Sequence, residues 1–232
     1  MRRFYGLLEN EIFTISGDEN NHLKNVLRLN VNDEIICFNG DGKEYVCVIE
    51  NISKNETKAK VLDVAVCKAN PNKDITLFLA TCKKEKLELI LQKSVELGAK
   101  QVVIFPSEYS VAKIESSKLA RLNSIVISAL KQCERCDFLE VVILNSFDEM
   151  LKCLSAFDAV YFAYEREEND AKMKINGQKL ALIVGAEGGF SCKEHDKILK
   201  AGAQSISLGK RILRCETAGV VLLGIVSYLS GN

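Results

Sequence analysis

The chain has 232 residues, 47% of them apolar and 27% charged. That is enough apolar material for a substantial core, and it excludes a disordered or collagen-like chain. Basic and acidic residues both total 31, so the net charge is zero; coating of nucleic acid through overall basicity is excluded, and only local basic sites remain possible.

The first 70 residues read as short β-rich runs at 11–16, 34–38, 44–49 and 59–67. Turn residues punctuate them at Ser16-Gly17-Asp18, at Asn39-Gly40-Asp41-Gly42 and across 51–55. Asn39-Gly40-Asp41-Gly42 between two apolar runs is a hairpin signal. One helical piece, 21–29, carries Leu23, Val26 and Leu27 at helical spacing. These elements predict a small, mostly antiparallel barrel over 1–70, closed off by Asn70-Pro71.

From 71 to 232 the pattern alternates. Strands are predicted at 75–80, 101–105, 140–144, 159–163, 180–184 and 205–208. Helices are predicted at 83–97, 117–134, 148–154, 192–201 and 216–229, and a charged loop at 165–174. The first helix places Leu87, Ile90, Leu91, Ser94 and Val95 on one face, with Gly98 as its stop. Alternating strands and helices predict an α/β domain with a mostly parallel sheet. Strand order cannot be read from this pattern.

Nine cysteines lie mostly in apolar runs such as Ile36-Cys37-Phe38. With no apolar leader after the basic start, they read as reduced, buried thiols of a cytoplasmic protein. The longest apolar stretch, 218–229, is about a dozen residues against the roughly 20 of a bilayer span. Cys133-Glu134-Arg135-Cys136 has the Cys-x-x-Cys spacing but no second pair or histidine near it in sequence, so no metal is expected.

Two stretches carry the chemistry. In Leu180–Ser191 a buried strand enters the turn Gly185-Ala186-Glu187-Gly188-Gly189, ahead of a helix capped by Ser191 with Glu194 as its capping-box partner. Neither the dinucleotide fingerprint nor the Walker loop spacing is present. Glu187 is a poor neighbour for a pyrophosphate and a better one for a cationic or hydroxyl-bearing ligand. In Ser207–Ala218 a strand leads into Lys210, Arg211 and Arg214, interrupted by Ile212 and Leu213. The apolar pair is expected to pin the loop to the body, leaving the cations to point outward or at a substrate.

Together these stretches resemble the RsmE family of 16S ribosomal RNA uridine-N3 methyltransferases, in the SPOUT (trefoil-knot) superfamily. The family's Gly-Pro-Glu-Gly-Gly-Phe-Ser segment is present here as residues 185–191, and Leu-Gly-x-Arg-Ile-Leu-Arg-x-Glu-Thr-Ala as 208–218. Gln92-Lys93 through Glu96-Leu97-Gly98, the Arg2-Arg3-Phe4 opening and His22 with Val26-Leu27-Arg28 match shorter family segments. Ala186 and Lys210 stand where proline is usual, and Tyr109 where the family has arginine.

The resemblance implies a PUA-like β-barrel (1–70) that helps hold RNA, followed by a SPOUT α/β-knot methyltransferase domain (71–232) that binds S-adenosylmethionine. It implies a homodimer acting on 16S rRNA or the assembled small ribosomal subunit, at N3 of the uridine numbered 1498 in that RNA. Expected cofactor contacts are Gly185, Glu187, Gly188, Gly189, Leu208, Gly209, Ile212, Leu213 and Thr217. Arg211 and Arg214, with Arg135 as a third, are the cations expected to stabilise a deprotonated uracil. Arg2, Arg3, His22, Lys24 and Arg28 are the expected RNA contacts. Competing readings are a catalytically inactive RNA-binding relative, the same methyl transfer on another base, and a nicotinamide-dependent oxidoreductase; the failed fingerprint argues against the last.

Overall fold

The computed structural model describes residues 1–112, 115–165, 173 and 175–232. The predicted charged loop at 165–174 therefore lies almost wholly outside the described residues. The chain divides into two compact units, Met1–Asn70 with Leu130–Phe138, and Pro71–Ala129 with Leu139–Asn232. Residues 130–138 pack with the first unit, where Asn70 Oδ1 accepts the Cys136 and Asp137 amides, both at 3.1 Å.

The first unit is one six-stranded sheet in the order β1-β4-β5-β6-β3-β2. Its strands are β1 (Arg3–Tyr5), β2 (Leu7–Glu9), β3 (Ile12–Ser16), β4 (Glu34–Phe38), β5 (Lys43–Ile52) and β6 (Glu56–Val66). The edge strands β1 and β2 are separated in the chain by Gly6 alone, so the sheet must curl until its two edges meet. All pairings are antiparallel except β1 with β4. Alternation along β3 and β5 buries Phe13, Ile15, Tyr45, Cys47 and Ile49, which pack with Phe4, Leu23, Ile35 and Cys37. The β4–β5 hairpin closes through Asn39-Gly40-Asp41-Gly42, where Gly40 (φ 94°) and Gly42 (φ 86°) adopt the left-handed conformation. The predicted helical piece is α1 (Gly17–Asn21) running into a π-helical turn at His22–Val26.

The second unit is a six-stranded, all-parallel sheet ordered β12-β10-β11-β7-β8-β9. These are β7 (Asp74–Ala80), β8 (Ala99–Phe105), β9 (Glu140–Ile143), β10 (Ala159–Ala163), β11 (Lys179–Val184) and β12 (Gln204–Ile206). The central strands β7 and β11 are buried almost end to end, as their continuous apolar runs require. The helices are α2 (Lys84–Glu96), α3 (Leu119–Cys133), α4 (Phe147–Cys153), α5 (Cys192–Lys200) and α6 (Cys215–Ser230). α2 buries the predicted face and stops at Gly98 (φ 80°). The Ser191–Glu194 capping box opens α5. β12 ends at Ile206, two residues sooner than predicted, which lengthens the basic loop before α6. Among the described residues no helix is long and apolar enough to cross a membrane.

Candidate active site

Because the sheet is parallel, β10, β11 and the edge strand β12 all end on one side. Ligands of open α/β sheets bind at such carboxyl ends. The loops leaving these three strands, with the start of α6, enclose a cavity of about 200 Å³. Its walls come from Ala163–Glu165 after β10, Val184–Phe190 after β11, and Leu208, Gly209, Arg211–Leu213, Cys215 and Ala218 after β12.

The turn after β11 is folded tightly on itself. The Gly189 amide donates to the Ala186 carbonyl at 3.0 Å, and Gly189 has φ 69°. Phe190 anchors the turn in the core, stacked on Phe105 at 6.3 Å and edge-on to Phe162 at 5.2 Å. A Cβ on Gly188 would lie 2.8 Å from Tyr109 Cβ, so only glycine fits without a shift. Glycines here also leave the loop backbone bare toward the cavity.

Lys86 on α2 joins two walls of the cavity. Its Nζ lies 3.4 Å from Glu187 Oε1 in the turn and 3.3 Å from Glu216 Oε2 in the first turn of α6. The Lys83 amide also donates to Glu187 Oε1, at 3.2 Å. Burial pushes the Glu187 carboxyl up, but its own amide, the Lys83 amide and Lys86 outweigh this and hold it below the usual carboxylate range. Burial likewise raises Glu216, and its own amide, Cys215 and Lys86 bring it below its ordinary value. Burial pulls the Lys86 ammonium down, and Cys215, Glu216 and Glu187 together hold it above its ordinary value. Glu187 Oε2 remains buried without a hydrogen-bond partner. Beside this cluster the Cys82 and Cys215 thiols interact, an arrangement that pushes Cys82 up and Cys215 down.

Comparison with known proteins identifies this architecture. The family of RNA methyltransferase domains matches residues 68–227, and the family of RNA methyltransferase PUA domains matches 15–62. Ribosomal RNA small subunit methyltransferase E of Bacillus subtilis is 31% identical, over 93% of this chain and 90% of its own length. The chain belongs to the RsmE family. The same enzyme from Neisseria gonorrhoeae, solved with S-adenosylmethionine bound, is 30% identical and superposes with a TM-score of 0.87 over 99% of this chain and 98% of that one. A methyltransferase of Legionella pneumophila, also solved with its cofactor, is 27% identical with a TM-score of 0.89, covering 97% of this chain and 96% of that one.

Against the RsmE pattern, the structure brings together most of the expected cofactor residues. Gly185, Glu187, Gly188, Gly189, Leu208, Gly209, Ile212 and Leu213 all line the cavity, and Thr217 does not. Arg211 lines it, and Arg214 is the N-cap of α6. Both are exposed, and neither has an ion-pair partner among the described residues. Arg135 is placed otherwise. It is 2% exposed, belongs to the first unit and forks onto Asp137 at 2.5 and 3.1 Å. Of the expected RNA contacts, Arg2, Lys24 and Arg28 are exposed and His22 is half-buried against Phe4. Arg3 is turned inward onto Glu44 and Cys136.

The sequence reading missed Tyr164, Glu165, Cys215 and Lys86. Tyr164 and Glu165 follow a predicted strand directly, but only the strand order places that strand beside β11. Tyr164 is buttressed by His195, ring centroids 4.1 Å apart. The Glu165 carboxylate sits over Gly189, 3.4 Å from where a Cβ would stand. Lys86 lies in the run Lys83-Lys84-Glu85-Lys86, which reads as a solvated helix start until Glu187 and Glu216 are seen to face it.

Proposed function

We propose that the chain is an S-adenosylmethionine-dependent methyltransferase acting on N3 of a uridine in 16S rRNA of the small ribosomal subunit, at the position-1498 site of its family. The observation that carries this reading is the cavity itself: both family motif loops converge on it, and Glu187 lines it. The cavity suits the cofactor's chemistry. Bare loop backbone at 185–189 and 208–213 offers donors and acceptors to a nucleoside and an amino acid, and Glu187 offers a carboxylate to an amine or hydroxyl.

When bound, the cofactor supplies a methyl group already activated by the sulfonium charge, so the protein's work is alignment and electrostatics. The uridine imide must lose its N3 proton before or during attack. Arg211 and Arg214 stand free to hold the resulting negative charge on the ring oxygens through charge-assisted hydrogen bonds. Phe190 and Lys86 keep the turn and α6 in place while this happens. In the first unit Arg2, His22, Lys24 and Arg28 hold RNA by phosphate contacts, which position without reading sequence.

The same proposal includes a homodimer. α6 exposes Ile225, Tyr228 and Leu229, with Tyr228 84% exposed, and α2 adds Leu89. Such apolar groups on packed neighbouring helices suit burial against a second copy. The site of action is the cytoplasm, where the ribosomal substrate is.

Incubation of the purified protein with unmethylated small subunits and labelled cofactor, followed by nucleoside mass spectrometry, tests the reading. N3-methyluridine supports it. Methyl on another nucleoside assigns the transfer to a different base, and cofactor binding by calorimetry without transfer assigns an inactive RNA-binding relative.

A further inference from the structure

The first unit carries a cluster of reactive groups that methyl transfer does not use. Cys67 after β6, Cys136 in the 130–138 segment and Glu44 on β5 bring two sulfurs and a carboxylate oxygen within 4.8 Å of one another. It is the one such set among the described residues. Cys67 is 4% exposed and Cys136 fully buried. A fourth atom joins them. The Glu134 carbonyl oxygen lies 3.1 Å from Cys67 Sγ and 3.8 Å from Cys136 Sγ.

We propose that these four atoms bind a tetrahedral, thiophilic divalent cation, Zn²⁺, as a structural site. Zinc–sulfur and zinc–oxygen bonds of about 2.3 and 2.1 Å imply tetrahedral edges of roughly 3.4 to 3.8 Å, with a sulfur–oxygen edge of about 3.6 Å. The two sulfur-to-carbonyl separations already bracket that length, and the two sulfurs and the Glu44 oxygen, within 4.8 Å of one another, must draw together to close the set. Two thiolates and a carboxylate bring three negative charges. The metal and the Arg3 guanidinium together cancel them. Arg3 already stands as an outer-shell donor, its Nη1 3.4 Å from Cys136 Sγ and its Nη2 2.7 Å from Glu44 Oε2. One carboxylate oxygen of Glu44 is thus left for the metal. All four ligands come from the protein, which marks a closed structural site rather than a catalytic one. The metal would pin the 130–138 segment to β5 and to the end of β6. Sequence spacing gave no hint of this, because the partners of Cys136 come from Glu44 and Cys67 and not from a second Cys-x-x-Cys pair.

Full-length protein, reduced and freed of metal by chelator, is titrated with Co²⁺ alone. The site predicts one equivalent bound, with tetrahedral ligand-field bands and a sulfur-to-cobalt charge-transfer band, both bleached by Zn²⁺. Cys67→Ser and Cys136→Ser lose the charge-transfer band, Glu44→Gln weakens binding about tenfold or more, and Cys153→Ser binds as the parent does. A measurement on the unaltered chain guards against variants that fail to fold: Zn²⁺ slows alkylation of Cys67 and Cys136 beyond the protection their burial gives the metal-free chain, read peptide by peptide, and leaves Cys192 as reactive as before. Absence of the band in folded protein overturns the proposal. So does a band that survives both serine substitutions, or a Cys67–Cys136 disulfide in place of two metal-protected thiols.

Discussion

Lys86 and Glu187 form an ion pair of 3.4 Å that fastens α2 to the glycine turn after β11. The same ammonium holds Glu216 at 3.3 Å, so one side chain sets the spacing between two walls of the cavity. The groups are partly exposed, so the contribution of each pair is about 1 kcal/mol at most. Lys86→Met is expected to raise the Kd for S-adenosylmethionine about fivefold by calorimetry, since 1.4 kcal/mol is tenfold. Lys86→Arg restores most of the loss. An unchanged Kd in Lys86→Met would show that the turn holds its shape without the pair.

The same cluster predicts a pH dependence. Glu187 and Glu216 have folded-state values held below their ordinary 4.5, so their contribution to stability is present above that pH and is lost as pH falls through the lowered values. Lys86 is held above 10.5, so its contribution is complete below that pH and is lost as pH rises through the raised value. The Tm difference between the parent and Lys86→Met should be level across the neutral range and shrink at both ends. A difference that instead varies steeply between pH 6 and 8 would assign the effect to other groups.

Arg211 and Arg214 are predicted to act on the transition state. Arg214→Ala, at the N-cap of α6 and outside the cavity lining, should lower kcat about a hundredfold while changing cofactor affinity little. Arg211→Ala, which removes a wall of the cavity, should lower both. Single-turnover kinetics on small subunits, with Kd measured separately, distinguish the two. Equal loss of turnover and affinity in Arg214→Ala would remove it from the reaction.

Gly188→Ala tests how closely the turn is packed. The added Cβ would meet Tyr109 Cβ at 2.8 Å, and neither atom is at the end of a flexible side chain. Overpacking of this kind costs about 1–3 kcal/mol. Thermal unfolding should show the loss, and Tyr109→Gly in the same chain should recover part of it. No recovery would mean that the strain lies elsewhere in the turn.

What was legible in the sequence follows from where local pattern decides structure. β7 and β11 are continuous apolar runs because both of their faces are covered, and α2 and the Ser191 cap follow from spacing alone. β1 and β2 are three residues each, too short for alternation to register. Strand order is a tertiary property, and with it went Tyr164 and Glu165, whose neighbourhood to Gly189 exists only because β10 lies beside β11. Arg135 reads in sequence as a third cation for a deprotonated uracil. Its commitment to Asp137 depends on the 130–138 segment packing with the β-sheet of the first unit. Lys86 was hidden in the same way, since a lysine run reads as solvated until the carboxylates facing it are placed.

The most direct measurement is nucleoside mass spectrometry of unmethylated small ribosomal subunits after incubation with the protein and isotopically labelled S-adenosylmethionine. The account predicts labelled N3-methyluridine at a single site of 16S rRNA, formed about a hundredfold more slowly when Arg214→Ala replaces the parent chain. Cofactor bound with no label in the RNA, or label on a base other than uridine, would contradict it.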